Sequence, residues 1–368
     1  MIKLFIKKMF LLLPIPIIIV VVNYFADPAQ LFKSGRYEKN IAKLLHQGNN
    51  VANVSNLNER LLQKYFIEGL KERREIVVFG SSRSMQIGYE IYNNESFFNN
   101  CLTGASLEDY MALYNIYRRK GLIPLKVIIG VDPWIFNINN GQKRWKFLIT
   151  EYKSIFKIMN SSKDSKVTSN IGTLINKYYQ IISPSYFQQS VKKIILSFNK
   201  SERNMDQIYI TQEEFPDETM IRRDGLRRYS KAMRTITIEE IDNLARKFNT
   251  SNNKYSIEDY KVLDPKLKLH FEQFITLLLN DGVEISVFLP SYYPMTYEYL
   301  VSSRNYRIID DVENYIRKIA DTYNIKVYGS YNPKRINFTE EDFYDEMHPK
   351  TEAVSRLFQS SIQYNISK

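Results

Sequence analysis

The chain is poor in the residues that build metal centres and disulfide frameworks. Its 368 residues include one cysteine, Cys101, and three histidines, His46, His270 and His348. A single cysteine excludes an intramolecular disulfide framework and any cysteine-rich zinc module. Histidines this far apart in the sequence argue against a histidine-clustered metal site. We therefore expect no metal centre.

Acidic residues are outnumbered by basic ones, 40 against 51, which leaves a formal net charge of +11. The excess is confined to two blocks: residues 1–40 carry six basic and two acidic side chains, and residues 143–200 carry eleven and two. The rest of the chain is close to neutral. Because a dedicated DNA-binding protein carries a continuous basic face, we do not expect a nucleic acid partner.

Long apolar runs are also scarce, and the one that stands out lies at the N-terminus. Three lysines within the first eight residues precede an apolar run over residues 9–22. This order predicts that the N-terminus stays in the cytoplasm and that the rest of the chain crosses the membrane. The run is short for a spanning helix and also fits a signal-peptide core. Cleavage after Ala26 would place the bulky Tyr24 where a small residue is required, so we favour a retained single-pass anchor at the cell membrane.

The body of the chain alternates short apolar runs with segments of helical periodicity. Strands are predicted at 76–79, 97–102, 127–129, 285–289 and 325–328, and helices between them at 107–119, 267–279, 312–323 and 351–364. This alternation predicts an α/β fold, a three-layer α/β/α arrangement around a parallel five-stranded sheet.

The predicted organisation has four parts. They are an anchor or uncleaved signal at 1–29, a helical connecting segment at 30–74, the α/β domain at 75–134 and 256–368, and a mostly helical inserted subdomain at 135–255. Apolar and basic residues recur at helical spacing in the first part of the insertion. Such a helix either packs its apolar face on the insertion's own core or contacts an anionic membrane or acidic polymer.

Small and polar residues collect where the predicted strands end, which is where open α/β sheets place their working sites. These segments are Gly80-Ser81-Ser82-Arg83-Ser84, Thr103-Gly104-Ala105-Ser106, Gly130-Val131-Asp132-Pro133, Pro290-Ser291-Tyr292-Tyr293 and, before the last helix, Asp345-Glu346-Met347-His348. A glycine and serines at a strand-to-helix turn place a hydroxyl beside free N–H groups. Together, over roughly residues 75–135 and 280–365, the segments resemble the SGNH (GDSL-type) hydrolase superfamily.

The resemblance implies a role for each of four residues. Ser82 is the nucleophile, His348 is its base and acid, and Asp345 orients the imidazole. The N–H groups of Ser82 and Gly104 form the oxyanion hole. Such a mechanism requires no cofactor.

The chain departs from the superfamily pattern at two positions. Ser81 replaces the aspartate of the Gly-Asp-Ser block, and Asp132 replaces the asparagine that supplies a third oxyanion donor. A carboxyl group donates a hydrogen bond only when it is protonated, and Asp132 before Pro133 is equally typical of a turn. These departures resemble the anchored cell-envelope members that act in teichoic-acid D-alanylation and exopolysaccharide O-acetylation.

We therefore predict an acyl-ester hydrolase or O-acyltransferase, outside the cytoplasm, acting on an envelope polysaccharide or teichoic-acid-like polymer. A transferase of this type implies a membrane-bound O-acyltransferase as partner. Arg83, Tyr292 and Tyr293 are candidate substrate contacts, with Arg83 alternatively paired to an exposed carboxylate. Two other readings stay open: an inactive SGNH-fold protein that binds glycan or scaffolds a polymer-export complex, and a Gly-Ser loop that cradles phosphate.

Overall fold

The computed structural model describes residues 14–26, 35–160, 187–188, 190–191, 194, 208–303 and 306–366. In chain order, the helices and strands are α1 (Pro14–Ala26), α2 (Arg36–His46), β1 (Asn50–Ala52), α3 (Glu59–Gly69), β2 (Ile76–Phe79), β3 (Phe97–Asn99), α4 (Leu107–Arg119), β4 (Lys126–Gly130), α5 (Ile149–Met159), β5 (Tyr209–Thr211), β6 (Met220–Ile221), β7 (Arg227–Arg228), α6 (Lys231–Arg234), α7 (Ile238–Thr250), α8 (Pro265–Asn280), β8 (Glu284–Leu289), α9 (Pro294–Ser302), α10 (Ile308–Tyr323), β9 (Lys326–Gly329) and α11 (Thr351–Ile366).

The chain divides into two compact units, Met1–Tyr37 with Lys166–Gln207 and Glu38–Ser165 with Ile208–Lys368. In the first, the structure describes mainly α1, where the Ser190 hydroxyl donates to Asn23 Oδ1 at 2.9 Å. Among the residues described, no helix has the length and apolar character needed to cross a membrane. Residues 1–13 and 27–29 of the expected anchor lie outside the described residues.

The second unit is built on a sheet of five parallel strands in the order β3-β2-β4-β8-β9. The predicted α/β fold with a parallel five-stranded sheet is therefore confirmed. Alternate residues of a strand point to opposite faces, and helices cover both. On one face Val78 joins a buried cluster with Val354 and Phe358 of α11. On the other, the ring of Phe79 meets that of Tyr117 in α4, with centroids 6.4 Å apart.

A second, antiparallel sheet with the order β5-β1-β6-β7 was not predicted. Its strands are two or three residues long, too short for an alternation of apolar and polar residues to be read. Strand β1 comes from the predicted helical connecting segment, and the other three come from the insertion predicted to be mostly helical. The β6–β7 turn meets the edge of the central sheet, where the Asn99 N–H donates to the Asp224 carbonyl at 2.8 Å.

Residues 135–160 and 208–255 of the insertion belong to the same compact unit as the α/β domain, and its described residues between 187 and 194 belong to the other unit. The basic amphipathic helix is α5, and it lies against α4. It buries Ile155 and the carboxylate of Glu151, which accepts hydrogen bonds from Asn115 and Arg119 of α4. Of the basic block, residues 161–186 lie outside the described residues.

Candidate active site

The central feature of the site is a chain of hydrogen bonds through Ser82, His348 and Asp345. The Oγ of Ser82 lies 3.0 Å from Nε2 of His348, and Nδ1 of His348 lies 2.8 Å from Oδ2 of Asp345. Ser82 starts a 3-10 turn directly after β2, and the Ser81 hydroxyl caps that turn by accepting from the Arg83 N–H at 3.1 Å. The structure thus brings together the three residues that the resemblance implies.

The loop before α11 holds the carboxylate and the imidazole in one orientation. Oδ1 of Asp345 accepts the backbone N–H groups of Met347 at 2.9 Å and His348 at 2.8 Å. Burial opposes ionisation of Asp345, but His348 and these N–H groups outweigh it and lower the pKa of Asp345. Burial likewise opposes protonation of His348, but Asp345 outweighs it and raises the pKa of His348 above its ordinary value. With Asp345 ionised, Nδ1 donates to it and Nε2 is left to accept from Ser82.

Two glycines allow the nucleophile turn to pack closely against the sheet. Gly80 directly follows β2, and a Cβ there would lie 2.6 Å from the Cβ of Ser84. A Cβ on Gly130, at the end of β4, would overlap Oγ of Ser84 and lie 3.3 Å from the Gly80 Cα. Only hydrogens fit at both positions, so this glycine pair determines how closely the turn carrying Ser82 approaches β4.

The Gly104 loop carries the backbone N–H that the resemblance implies as a second oxyanion donor. Gly104 has φ of +53°, a conformation that favours glycine, and its carbonyl accepts from Arg60 Nη2 at 3.4 Å and from Gln142 Nε2. The preceding N–H, on Thr103, donates to the carboxylate of Glu59. By contrast, within the part of the chain that the structure describes, no acceptor meets the N–H of Gly104 or of Ser82. Both groups are therefore available to a ligand oxygen.

Asp132 does not supply a third oxyanion donor, because it is the buried partner of Arg83. Its Oδ1 lies 3.0 Å from Arg83 Nη1, and neither side chain has any exposed surface. Burial raises the pKa of Asp132, and Arg83 opposes that shift. The guanidinium also donates to the carbonyls of Met347 at 3.1 Å and Pro290 at 2.6 Å. Arg83 therefore joins the loops after β2, β4 and β8 to the loop that carries His348.

The expected substrate contacts are enclosed rather than accessible. Arg83 is buried and paired with a buried carboxylate, not an exposed one, and its guanidinium carbon lies 3.8 Å from the centre of the Tyr292 ring. Tyr292 and Tyr293 are also buried, and the Tyr293 hydroxyl donates to Asp242 at 2.6 Å. Loops at adjacent strand ends pack on each other, so these side chains near Ser82 are packed inside the protein and hold its turn in place.

Sequence reasoning missed the side chains that brace the site. Arg83 and Asp132 carry opposite charges and follow adjacent strands, and this pattern in the sequence could have indicated an ion pair between them. No pattern indicated that Arg60, Gln142 and Glu59 would hold the Gly104 loop, since these residues lie on distant segments. Within the described ranges, no group of three or more histidine, cysteine, aspartate or glutamate side chains could hold a metal ion.

The arrangement can activate a serine hydroxyl. His348 can take the Ser82 proton, Asp345 stabilises the imidazolium that results, and two N–H groups can receive negative charge on a substrate oxygen. No protein-family model and no curated protein matches this chain, so the chemistry assigned to the site rests on its own geometry.

Proposed function

We propose that the protein is a serine-dependent acyl-ester hydrolase or O-acyltransferase with an SGNH-type three-layer α/β/α fold. The observation that carries this proposal is the continuous line of hydrogen bonds from Ser82 Oγ through His348 to Asp345, at 3.0 and 2.8 Å. If Ser82 and the Asp345–His348 turn were only solvated loop residues, nothing would require them to contact each other at the end of the sheet. Their contact over 266 residues of sequence supports a catalytic role.

In the first half-reaction, Nε2 of His348 removes the proton of Ser82 as Oγ attacks the ester carbonyl carbon. The N–H groups of Ser82 and Gly104 stabilise the oxyanion of the tetrahedral intermediate. The intermediate collapses, the C–O bond to the alcohol breaks, and the alcohol leaves with the proton held by His348. An acyl group is then esterified to Ser82.

In the second half-reaction, His348 activates the acceptor. Water as acceptor releases the carboxylic acid and completes hydrolysis, whereas a hydroxyl of a second molecule completes transfer. Which one occurs depends on the acceptor that reaches the acyl-enzyme, because the same base and the same oxyanion donors serve both.

The proposed substrate is an acylated envelope polysaccharide or a teichoic-acid-like polymer. The apolar run after the N-terminal lysines supports a single-pass anchor with the catalytic domain outside the cytoplasm. The resemblance to anchored envelope members supports this substrate class, and in the transferase case it also supports a membrane-bound O-acyltransferase partner.

A serine-directed fluorophosphonate and a chromogenic acetyl ester test the proposal. We expect a covalent adduct on Ser82, mapped by mass spectrometry, and ester hydrolysis that falls at least about a thousandfold in Ser82→Ala. Ser302→Ala, which removes an exposed hydroxyl at the end of α9, serves as the matched control and should retain both. Absence of an adduct in folded protein, or equal hydrolysis rates in wild type and Ser82→Ala, would reject the enzyme.

One observation favours the alternative of an inactive SGNH-fold protein that binds glycan or scaffolds an export complex. The place of an oxyanion donor is taken by Asp132, whose carboxylate is tied to Arg83. This alternative predicts no adduct on Ser82 and glycan binding that is unchanged in Ser82→Ala.

A further inference from the structure

A guanidinium lies directly against the loop that carries the proposed oxyanion donor. Arg144, which follows β4 and its 3-10 turn, places Nη2 in the space that a Cβ on Gly104 would fill. The φ of +53° is the reason that position 104 favours glycine, whereas the flexible end of Arg144 could shift to admit a Cβ. The contact places a cation beside the Gly104 N–H, which would donate a hydrogen bond to the substrate oxygen.

Gln142 holds Arg144 in this position. Its Oε1 accepts the backbone N–H of Arg144 at 2.7 Å and the Nε of the same residue at 3.3 Å, while its Nε2 donates to the Gly104 carbonyl. One amide side chain thus joins the cation to the loop. Among the described residues, the terminal Nη1 and Nη2 donors of Arg144 have no acceptor and no carboxylate partner.

The surrounding charges do not neutralise Arg144. Asp109 is bound by Arg60 at 2.8 Å, and Glu59 is bound by Arg227 at 3.1 Å and by both donors of Thr103. Among the described residues at the Gly104 loop, three guanidinium groups therefore face two carboxylates, which leaves one positive charge there. Since the side chain of Arg144 is exposed, that charge is accessible to a bound molecule.

We propose that Arg144 is a specificity-determining residue that binds an anionic group, a carboxylate or phosphate, next to the ester carbonyl of the substrate. The inference rests on the proposed function and narrows its substrate class to negatively charged esters. An anion would use the two free Nη donors in the paired geometry that guanidinium groups offer to carboxylates and phosphates. A neutral substrate would leave these donors to water and gain no ionic contact from them.

Two matched pairs of esters test this inference and distinguish the acyl side from the alcohol side. On the acyl side, p-nitrophenyl hydrogen succinate is compared with its methyl ester; on the alcohol side, p-acetoxybenzoate is compared with its methyl ester. Within each pair the molecules differ by one negative charge. We expect kcat/KM to favour the anionic member of one pair by about tenfold, the size of a charge-assisted hydrogen bond.

The variants locate the effect. The preference should disappear in Arg144→Gln, be partly kept in Arg144→Lys, and persist in Lys146→Gln, which removes an exposed positive charge two residues away. An unchanged preference in Arg144→Gln, or equal kcat/KM within both pairs in the wild type, would overturn the inference.

A binding measurement separates this inference from the proposed function. Isothermal titration of the intact esters into Ser82→Ala, with and without Arg144→Gln, reports recognition in the absence of turnover. Charge-dependent binding that needs Arg144, without hydrolysis by the wild type, would refute the enzyme and support the anion site. Hydrolysis without charge preference, together with equal binding in both proteins, would refute the anion site and leave the enzyme in place.

Discussion

Replacing Arg83 by methionine tests the buried ion pair next to the nucleophile. Methionine keeps most of the volume and the apolar stem but removes the charge and all of the donors. Asp132 would then be a fully buried carboxylate with no counter-ion, and its Oδ2 already lacks a hydrogen-bond partner among the described residues. The carbonyls of Pro290 and Met347 would each lose a donor as well.

The expected loss of stability is large because Asp132 is fully buried, so water cannot replace the lost guanidinium. Breaking a fully buried ion pair by removing one partner costs about 3–5 kcal/mol. Replacing both partners by apolar residues costs much less, so Arg83→Met combined with Asp132→Leu should be more stable than Arg83→Met alone. An exposed pair offers the control: Lys334→Met, which breaks the contact with Glu298, should cost less than about 1 kcal/mol.

Urea unfolding of the full chain, followed by the fluorescence of the buried Trp134, measures these differences. Arg83 is the strongest of the influences that oppose the rise of the Asp132 pKa on burial, so in Arg83→Met that pKa should rise further. The folded state would then hold a proton that the unfolded state, with a pKa of about 3.9, does not, so the loss should shrink as the pH falls from about 7 toward 4. A loss below about 1 kcal/mol at neutral pH, or a double variant no more stable than the single one, would refute the reasoning.

Two further predictions concern the base and the edge of the sheet. Because only neutral His348 can accept the Ser82 proton, and because Asp345 raises the pKa of His348, kcat/KM should rise with pH through an apparent pKa above about 6.5. Asp345→Asn removes the charge that raises this pKa, so the rise of kcat/KM should move to lower pH and its value at high pH should fall. If the rise stays at the same pH, it reports a group other than His348. Gly225→Ala should lower the free energy of unfolding by more than about 1 kcal/mol, because φ is +84° and the new Cβ would meet the backbone of Asn99. Gly282→Ala, at φ of +77° with open space around it, should cost less, and equal losses would contradict the steric argument.

The central sheet could be predicted because its signals are local. Each strand is a short apolar run, and the helix Leu107–Arg119 was predicted with the bounds that the structure has. The antiparallel sheet could not, since its strands have only two or three residues and β1 pairs with distant segments: β1 lies more than 150 residues from β5 in sequence. Periodicity within a segment carries no information about such partners.

The candidate catalytic residues were accessible to sequence reasoning for a related reason. The carboxyl ends of parallel strands meet at one edge of a sheet, so reading those ends in order leads to Ser82, Gly104 and the Asp345–His348 turn. That rule places residues near one another but does not say which of them face the substrate. Arg83, Tyr292 and Tyr293 obey the same rule and are buried supports.

By itself, then, the sequence determined the α/β class, the order along the chain of the five central strands, and the residue types at their ends, because these follow from hydrophobic periodicity and from turn chemistry. Only the tertiary structure decided that Arg83 and Asp132 neutralise each other and that Arg144 keeps its charge beside Gly104. Whether a side chain meets solvent, substrate or an opposite charge depends on contacts across many residues of chain, such as the 264 that separate Arg83 from Met347. Those contacts are set by packing, which no local pattern records.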